Sequence, residues 1–177
     1  MAVTDSTGQE NFVERYALWS DEQRAVAADV VQSTEKNLDT LRLSFADQHG
    51  VLRGKSLVAD TIDVLLRNGC PITSTLLAKD TSHRTVYPVG SEGGGFGLTE
   101  MTGARDVIMV PDPTTFRILP WLSRTGWMLC DLYFADGSAV PFSTRQVCKD
   151  AIQKLSSRGY TYRSGLEIEF HVLKLDN

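Results

Sequence analysis

The sequence predicts an α+β fold, and three observations carry that expectation. Leu41 to Ala46 and Val51 to Val58 alternate apolar and polar residues on either side of Asp47-Gln48-His49-Gly50, the pattern of a β-hairpin with a polar tip. A helical stripe of Ile62, Leu65 and Leu66 follows the hairpin directly. Three strand-like runs then succeed one another: Val107-Ile108-Met109-Val110, the stretch from Phe116 to Trp121, and the stretch from Trp127 to Tyr133. Strands in succession, rather than in alternation with helices, favour segregated α+β packing over a parallel α/β sheet.

Ahead of the hairpin, Ser20 with Gln23 three residues later is a capping-box signature before Val26, Val30 and Val31, and predicts a helix from about Asp21 to Lys36. Asp60 or Thr61 can cap the helix that carries Ile62, and Asn68-Gly69 supplies its left-handed stop. From Cys70 to Gly103 the chain is rich in Pro, Ser, Thr and Gly, with Gly93-Gly94-Gly95-Phe96-Gly97 at the extreme. This reads as one long loop, of a length that is usually functional or mobile. Pro111-Asp112-Pro113 closes the first of the three later strands, and Asp136-Gly137 turns the chain after the last.

A boundary falls near Pro141. Beyond it a second capping box, Ser143 with Gln146, opens a helix carrying Val147, Ala151, Ile152 and Leu155, which Arg158-Gly159 ends. The final stretch, Gly165-Leu166-Glu167-Ile168-Glu169-Phe170-His171-Val172, has period two and is expected as a strand with Glu167, Glu169 and His171 on one face. One helix and one strand cannot close a sheet, so an unpaired edge is expected there.

With 177 residues, 42% of them hydrophobic and 23% charged, the chain can bury a sizeable core. A net charge of −4 without any basic cluster argues against nucleic acid or an anionic membrane surface as partner. Cys70, Cys130 and Cys148 are scattered without metal-ligand spacing, which suggests reduced thiols in a cytoplasmic protein. The start lacks the basic and apolar regions of a signal peptide, and no apolar run approaches the ~18 residues of a transmembrane helix.

Chemistry concentrates on the last strand. Two carboxylates about 6.5–7 Å apart along one face repel each other, and they reach water, raise their pKa values or gather a divalent ion. A solvated acidic face on an edge strand is the other reading of the same residues. The run from Gly50 to Ser56 ends like a phosphate-binding P-loop, but it has three residues between the glycines where four are needed and lies in a hairpin. The Gly93–Gly97 run lacks a following lysine and specifies no nucleotide. His49 and His83 have no partner at ligand spacing and are expected as exposed turn residues.

Five blocks in order carry a resemblance: Phe45-Ala46-Asp47-Gln48-His49-Gly50 with Arg53-Gly54-Lys55; Val110-Pro111-Asp112-Pro113-Thr114-Thr115; Pro120-Trp121; Cys130-Asp131; and Gly165-Leu166-Glu167-Ile168-Glu169-Phe170. Together they resemble the N-terminal part of the glutamine synthetase family, and the Arg-Gly-Lys block is closest to the subgroup that includes γ-glutamyl-amine ligases. The resemblance implies an N-terminal helical extension over residues 1–37, a β-grasp domain over 38–140, and over 141–177 the start of a catalytic domain, truncated at Asn177. It implies a ligase that joins ammonia or an amine to the γ-carboxylate of glutamate, with ATP as co-substrate and Mg²⁺ or Mn²⁺ as cofactor. Glu167 and Glu169 match metal ligands, and Asp47 matches an aspartate that binds and deprotonates the ammonium in a neighbouring subunit's site. His171, where the family commonly has an aromatic or aliphatic residue, is a third candidate donor. The family forms ring-shaped homo-oligomers, often dodecamers of two stacked hexamers. Its remaining metal ligands, nucleotide pocket and glutamate-binding arginines correspond to sequence beyond Asn177, so this chain alone is expected to be inactive. The alternatives are a γ-glutamyl-polyamine ligase and a non-catalytic β-grasp assembly module.

Overall fold

Leu41, Leu43 and Phe45 alternate with Arg42 and Ser44, so this stretch has one apolar face to bury, and the fold is built on it. The computed structural model describes residues 11–34 and 37–174. Its helices are α1 (Phe12–Arg15), α2 (Asp21–Thr34), α3 (Ile62–Asn68) and α4 (Thr144–Ser156). Its strands are β1 (Thr40–Ala46), β2 (Leu52–Val58), β3 (Cys70–Thr73), β4 (Asp106–Pro111), β5 (Arg117–Ile118) and β6 (Thr125–Tyr133).

The strands form one mixed sheet in the order β2-β1-β6-β4-β3, with β5 paired on β6. β1 and β6 are parallel, and the other pairs are antiparallel. The two ends of this order approach each other: Lys55 Nζ on β2 donates to Pro71 O on β3 at 2.7 Å, so the sheet curls until its edges nearly meet. Leu41, Leu43 and Phe45 from β1, Val107 and Met109 from β4, and Met128, Cys130 and Leu132 from β6 fill the core, which α2 covers with Ala27 and Val30 and α3 with Ile62, Leu65 and Leu66.

The expected hairpin is present in continuous register from Thr40↔Val58 to Ala46↔Leu52. Gly54 has a steric reason to be glycine: a Cβ there would lie 1.8 Å from Leu43 O on the neighbouring strand. α3 ends as expected at Gly69, whose φ of 69° is open to glycine and whose N–H donates to Leu65 O. Thr61 gives α3 no side-chain cap; its hydroxyl donates instead to Val58 O at 2.7 Å.

The first capping box is formed reciprocally: Gln23 N donates to Ser20 Oγ at 3.2 Å, and Ser20 N donates to Gln23 Oε1 at 2.9 Å. Two donors at the start of α2 depend on it. Ser20→Ala should therefore lower the unfolding free energy by about 1 kcal/mol, read as a lower urea midpoint with an unchanged slope. An unchanged midpoint would show that water replaces the cap at no cost.

Three expectations are corrected. Cys70–Thr73 is a strand paired with β4, not the start of a loop; it is short and carries Pro71, which a sheet tolerates because β3 is an edge. Ser143 sits at the N-cap of α4 without a side-chain cap bond, and Gln146 donates to Asp150 Oδ1 instead of closing a box. The apolar stripe of α4 is uncovered: Val147, Ile152 and Leu155 are exposed. Finally, residues 165–172 are not a strand. A strand exists through its ladder, and among the described residues nothing pairs with this segment, so Leu166, Ile168 and Phe170 stand 92%, 74% and 78% exposed.

Candidate functional site

The hairpin tip is where the structure concentrates polar order. Gly50, at φ 76°, closes the turn by donating its N–H to Asp47 O, and Asp47 N donates to Val51 O. The Asp47 side chain folds back into this turn and is 1% exposed. Its Oδ1 accepts from His49 N at 2.9 Å and Val51 N at 3.0 Å, and its Oδ2 accepts from Arg53 Nε at 2.9 Å. Burial would raise the Asp47 pKa, but the Arg53 hydrogen bond, the two amide donors and the guanidinium charge together hold it below the usual carboxylate range. Such a carboxylate stays ionised, with the Arg53 guanidinium as its counter-ion, at the cost of being a weaker base.

The two histidines expected as exposed turn residues are exposed, and each has a hydrogen-bond partner. His49 Nε2 lies 3.0 Å from Lys79 O, and His83 Nδ1 lies 3.0 Å from Arg53 Nη1. Within the glycine run, Phe96 is tilted between Tyr87 and Phe142 at centroid distances of 4.4 and 4.8 Å. Gln48 Nε2 donates to Phe142 O at 3.5 Å, and Thr144 Oγ1 donates to Ala46 O at 3.0 Å. Tip, glycine loop and the start of α4 thus converge on one end of the sheet.

A second polar cluster was not legible as such. Asp112, after β4, and Asp131, on β6, are both buried, and Arg145 on α4 donates to each: Nε to Asp131 Oδ1 at 2.9 Å and Nη2 to Asp112 Oδ2. Lys149 Nζ meets Asp131 Oδ2 at 2.5 Å, while Asp112 Oδ1 also accepts from Gln23 Nε2 and from the N–H and hydroxyl of Thr114. Burial works to raise the Asp112 pKa, but the Thr114 and Gln23 hydrogen bonds and the Arg145 and Lys149 charges hold it low. The cluster joins α2, β4, β6 and α4. Asp112 and Asp131 each fall in one of the five blocks that carry the resemblance, but nothing in the sequence joins them to Arg145.

Glu167, Glu169 and His171 stand apart from both clusters, exposed on the unpaired segment after α4. Oxygen donors of this kind suit Mg²⁺ or Mn²⁺. Among the described residues no group of three His, Cys, Asp or Glu side chains is placed to hold a metal. The carboxylates therefore fit the ion chemically but do not enclose it.

No family model matches the chain. It is 37% identical over 169 residues to a γ-glutamylanilide synthase of an Acinetobacter species, covering 93% of this chain and 34% of that protein. It is 36% identical to a γ-glutamylethanolamide synthetase of Streptomyces coelicolor over 78% of this chain and 29% of that protein. A glutamine synthetase of Methanosarcina mazei is 30% identical over 84% of this chain and 30% of its own length. The chain belongs to the glutamine synthetase family. Among solved structures, a glutamine synthase homologue superposes with a TM-score of 0.56 at 16% identity, over 70% of this chain and 28% of that one. A GmaS–ADP complex superposes with a TM-score of 0.53 at 22% identity, over 73% and 25%. These likenesses establish a glutamine-synthetase-type mixed α/β fold. The chain spans about a third of the length of the curated relatives it matches. Among the described residues no helix is long and apolar enough to cross a membrane.

Proposed function

We propose that this chain supplies the N-terminal part of an ATP-dependent ligase that joins an amine, or ammonia, to the γ-carboxylate of glutamate. The observation that carries the reading is the 37% identity to a γ-glutamylanilide synthase across nearly the whole chain. The hairpin–helix–strand order, with the last long strand parallel to the first, supports a β-grasp domain over 38–140. Residues 1–37 are then an N-terminal extension that carries α1 and α2, its residues 1–10, 35 and 36 lying outside the described ones, and 141–177 open a catalytic domain.

In this reading Asp47 holds the amine as its cation and accepts its proton as nitrogen attacks the activated γ-carboxylate. Arg53 and the two turn amides keep Asp47 ionised for the first task. Glu167 and Glu169 supply two carboxylate ligands to Mg²⁺ or Mn²⁺, and the bound ion would offset the charge of the transferring phosphoryl group. The further ligands, the nucleotide pocket and the ring-shaped homo-oligomer belong to a larger assembly. A polyamine is the alternative acceptor.

The test is a chimera in which residues 11–174 replace the matching segment of the γ-glutamylanilide synthase. It should consume ATP and glutamate in an amine-dependent way, and Asp47→Asn within it should depress amine kcat/KM at least 10-fold while leaving the KM for ATP within about twofold. A chimera that assembles but shows no amine-dependent phosphate release would refute the ligase reading. Loss of ATP affinity alone in Asp47→Asn would refute the role of Asp47.

A further inference from the structure

We propose that Arg53 and His83 are positioning residues for Asp47, and that His83 does this only as a neutral imidazole, so that the hairpin tip is clasped to the loop after β3 in a pH-dependent way. The inference rests on the reading of Asp47 above and adds to it the groups that hold the carboxylate and the condition under which they do.

One guanidinium serves both contacts. Its Nε donates to Asp47 Oδ2 at 2.9 Å, and its Nη1 lies 3.0 Å from His83 Nδ1. A guanidinium has donors only, so Nδ1 must accept, which requires a neutral ring with its proton on Nε2. The loop is built to present that ring. His83 adopts φ 65°, a conformation rare for a residue with a Cβ, and its N–H donates to Asp80 O at 3.0 Å. Asp80 Oδ1 in turn accepts from Ser82 Oγ at 2.9 Å and Arg84 N at 2.8 Å, while Asp80 N donates to Arg84 O. The loop is closed on itself, with the imidazole turned to Arg53.

A second strap runs the other way. Lys79 O can only accept, so His49 Nε2 carries a hydrogen and donates to it at 3.0 Å. The two straps respond differently to acid. An imidazolium keeps the Nε2–H that His49 uses. It loses the bare Nδ1 that His83 uses, and sets an N–H and a positive charge against a guanidinium instead.

The charged and titratable groups around His83 are Arg53 from the hairpin, with Asp47 at the other end of that guanidinium, Asp80 and Arg84 on its own loop, and Lys79 and His49 at the second strap. Asp47 Oδ2 is engaged by Arg53, and Asp80 Oδ1 by Ser82 and Arg84 of its own turn. Protonation of His83 therefore frees one end of Arg53 and loosens its hold on Asp47.

The 177-residue chain allows a direct test because it contains three histidines. In a ¹⁵N-labelled sample, His83 should show the Nε2–H tautomer at high pH, and the amides of Asp47, His49 and Val51 should shift with the His83 midpoint. His83→Gly, which adopts positive φ freely and removes the acceptor, should place those amides at their acid-form positions at every pH. His83→Asn, whose amide oxygen stands near the Nδ1 position and which tolerates the left-handed backbone, should keep the high-pH positions and lose the His83-linked component. In the chimera, His83→Gly should raise the amine KM about 5-fold or more with the ATP KM unchanged, and His83→Asn should restore it.

Tip amides that ignore both His83 protonation and His83→Gly would overturn the clasp, as would an amine KM that His83→Gly leaves unmoved. An Asp47→Asn chimera with normal amine use is a different failure. It would refute the reading of Asp47 as the amine group while the clasp remained visible in the amide shifts.

Discussion

Arg145→Met is expected to lower the stability of the chain by about 3 kcal/mol or more, because it leaves buried carboxylates on both sides without their shared cation. Asp112 and Asp131 are 5% and 6% exposed, and Arg145 is the side chain that donates to both. Removing it keeps their desolvation and deletes the compensation. Lys149 still meets Asp131, and Gln23 and Thr114 still meet Asp112, so the loss should not reach the full cost of two orphaned charges. Arg145→Lys keeps a charge but not the fork that reaches two carboxylates, and should fall between wild type and Arg145→Met. Urea unfolding of the three chains decides the matter; a midpoint for Arg145→Met equal to wild type would show that the cluster is no more than surface decoration.

The same cluster sets an acid limit. Asp112 has its folded-state pKa depressed, so its contribution to stability is complete above the unfolded carboxylate value, about 3.9, and is lost as pH falls below that toward the folded value. Asp47 is depressed as well and acts in the same direction. Stability should therefore drop on acidification below about pH 4, and less steeply in Arg145→Met, where part of the depression at Asp112 is gone.

The elements that could be read from the sequence are those whose signal is local. The Ser20–Gln23 box, the period-two hairpin around Asp47-Gln48-His49-Gly50 and the Gly69 stop depend on residues within a few positions of one another, and each is found. Of the elements misread, the Ser143–Gln146 box is local and fails because Gln146 bonds Asp150 instead, while the others depend on partners far along the chain. Cys70–Thr73 is a strand because β4 lies beside it, and residues 165–172 are not one because no strand among the described residues does, although the second has much the clearer period. The site divides in the same way. Asp47, Arg53, Asp112 and Asp131 all fall in the blocks that carry the resemblance, but the Arg53–His83 and Asp112–Arg145–Asp131 contacts join positions 14 to 33 residues apart, and a sequence pattern has no way to show that.

The chain by itself should show no ligase turnover with glutamate, ATP, Mg²⁺ and a set of amines, even though it carries both proposed metal ligands. Mg²⁺ demands near-octahedral oxygen coordination, and when one or two carboxylates hold it, substrate phosphates normally complete the shell. Here Glu167 and Glu169 lie on a segment whose apolar residues are 74–92% exposed, so nothing packed fixes their rotamers or their separation. Divalent ions should bind weakly, with no saturation in a calorimetric titration below millimolar metal. In the chimera the same two residues would gain neighbours, and Glu167→Gln or Glu169→Gln should then lower metal-dependent turnover at least about 100-fold, more than the loss of an outer-shell partner usually costs. Part of that loss should be recovered at higher Mn²⁺ if the defect is in binding the ion. Sustained turnover from the purified 177-residue chain, or chimeras that ignore both substitutions at ordinary metal concentration, would show that the metal is held elsewhere.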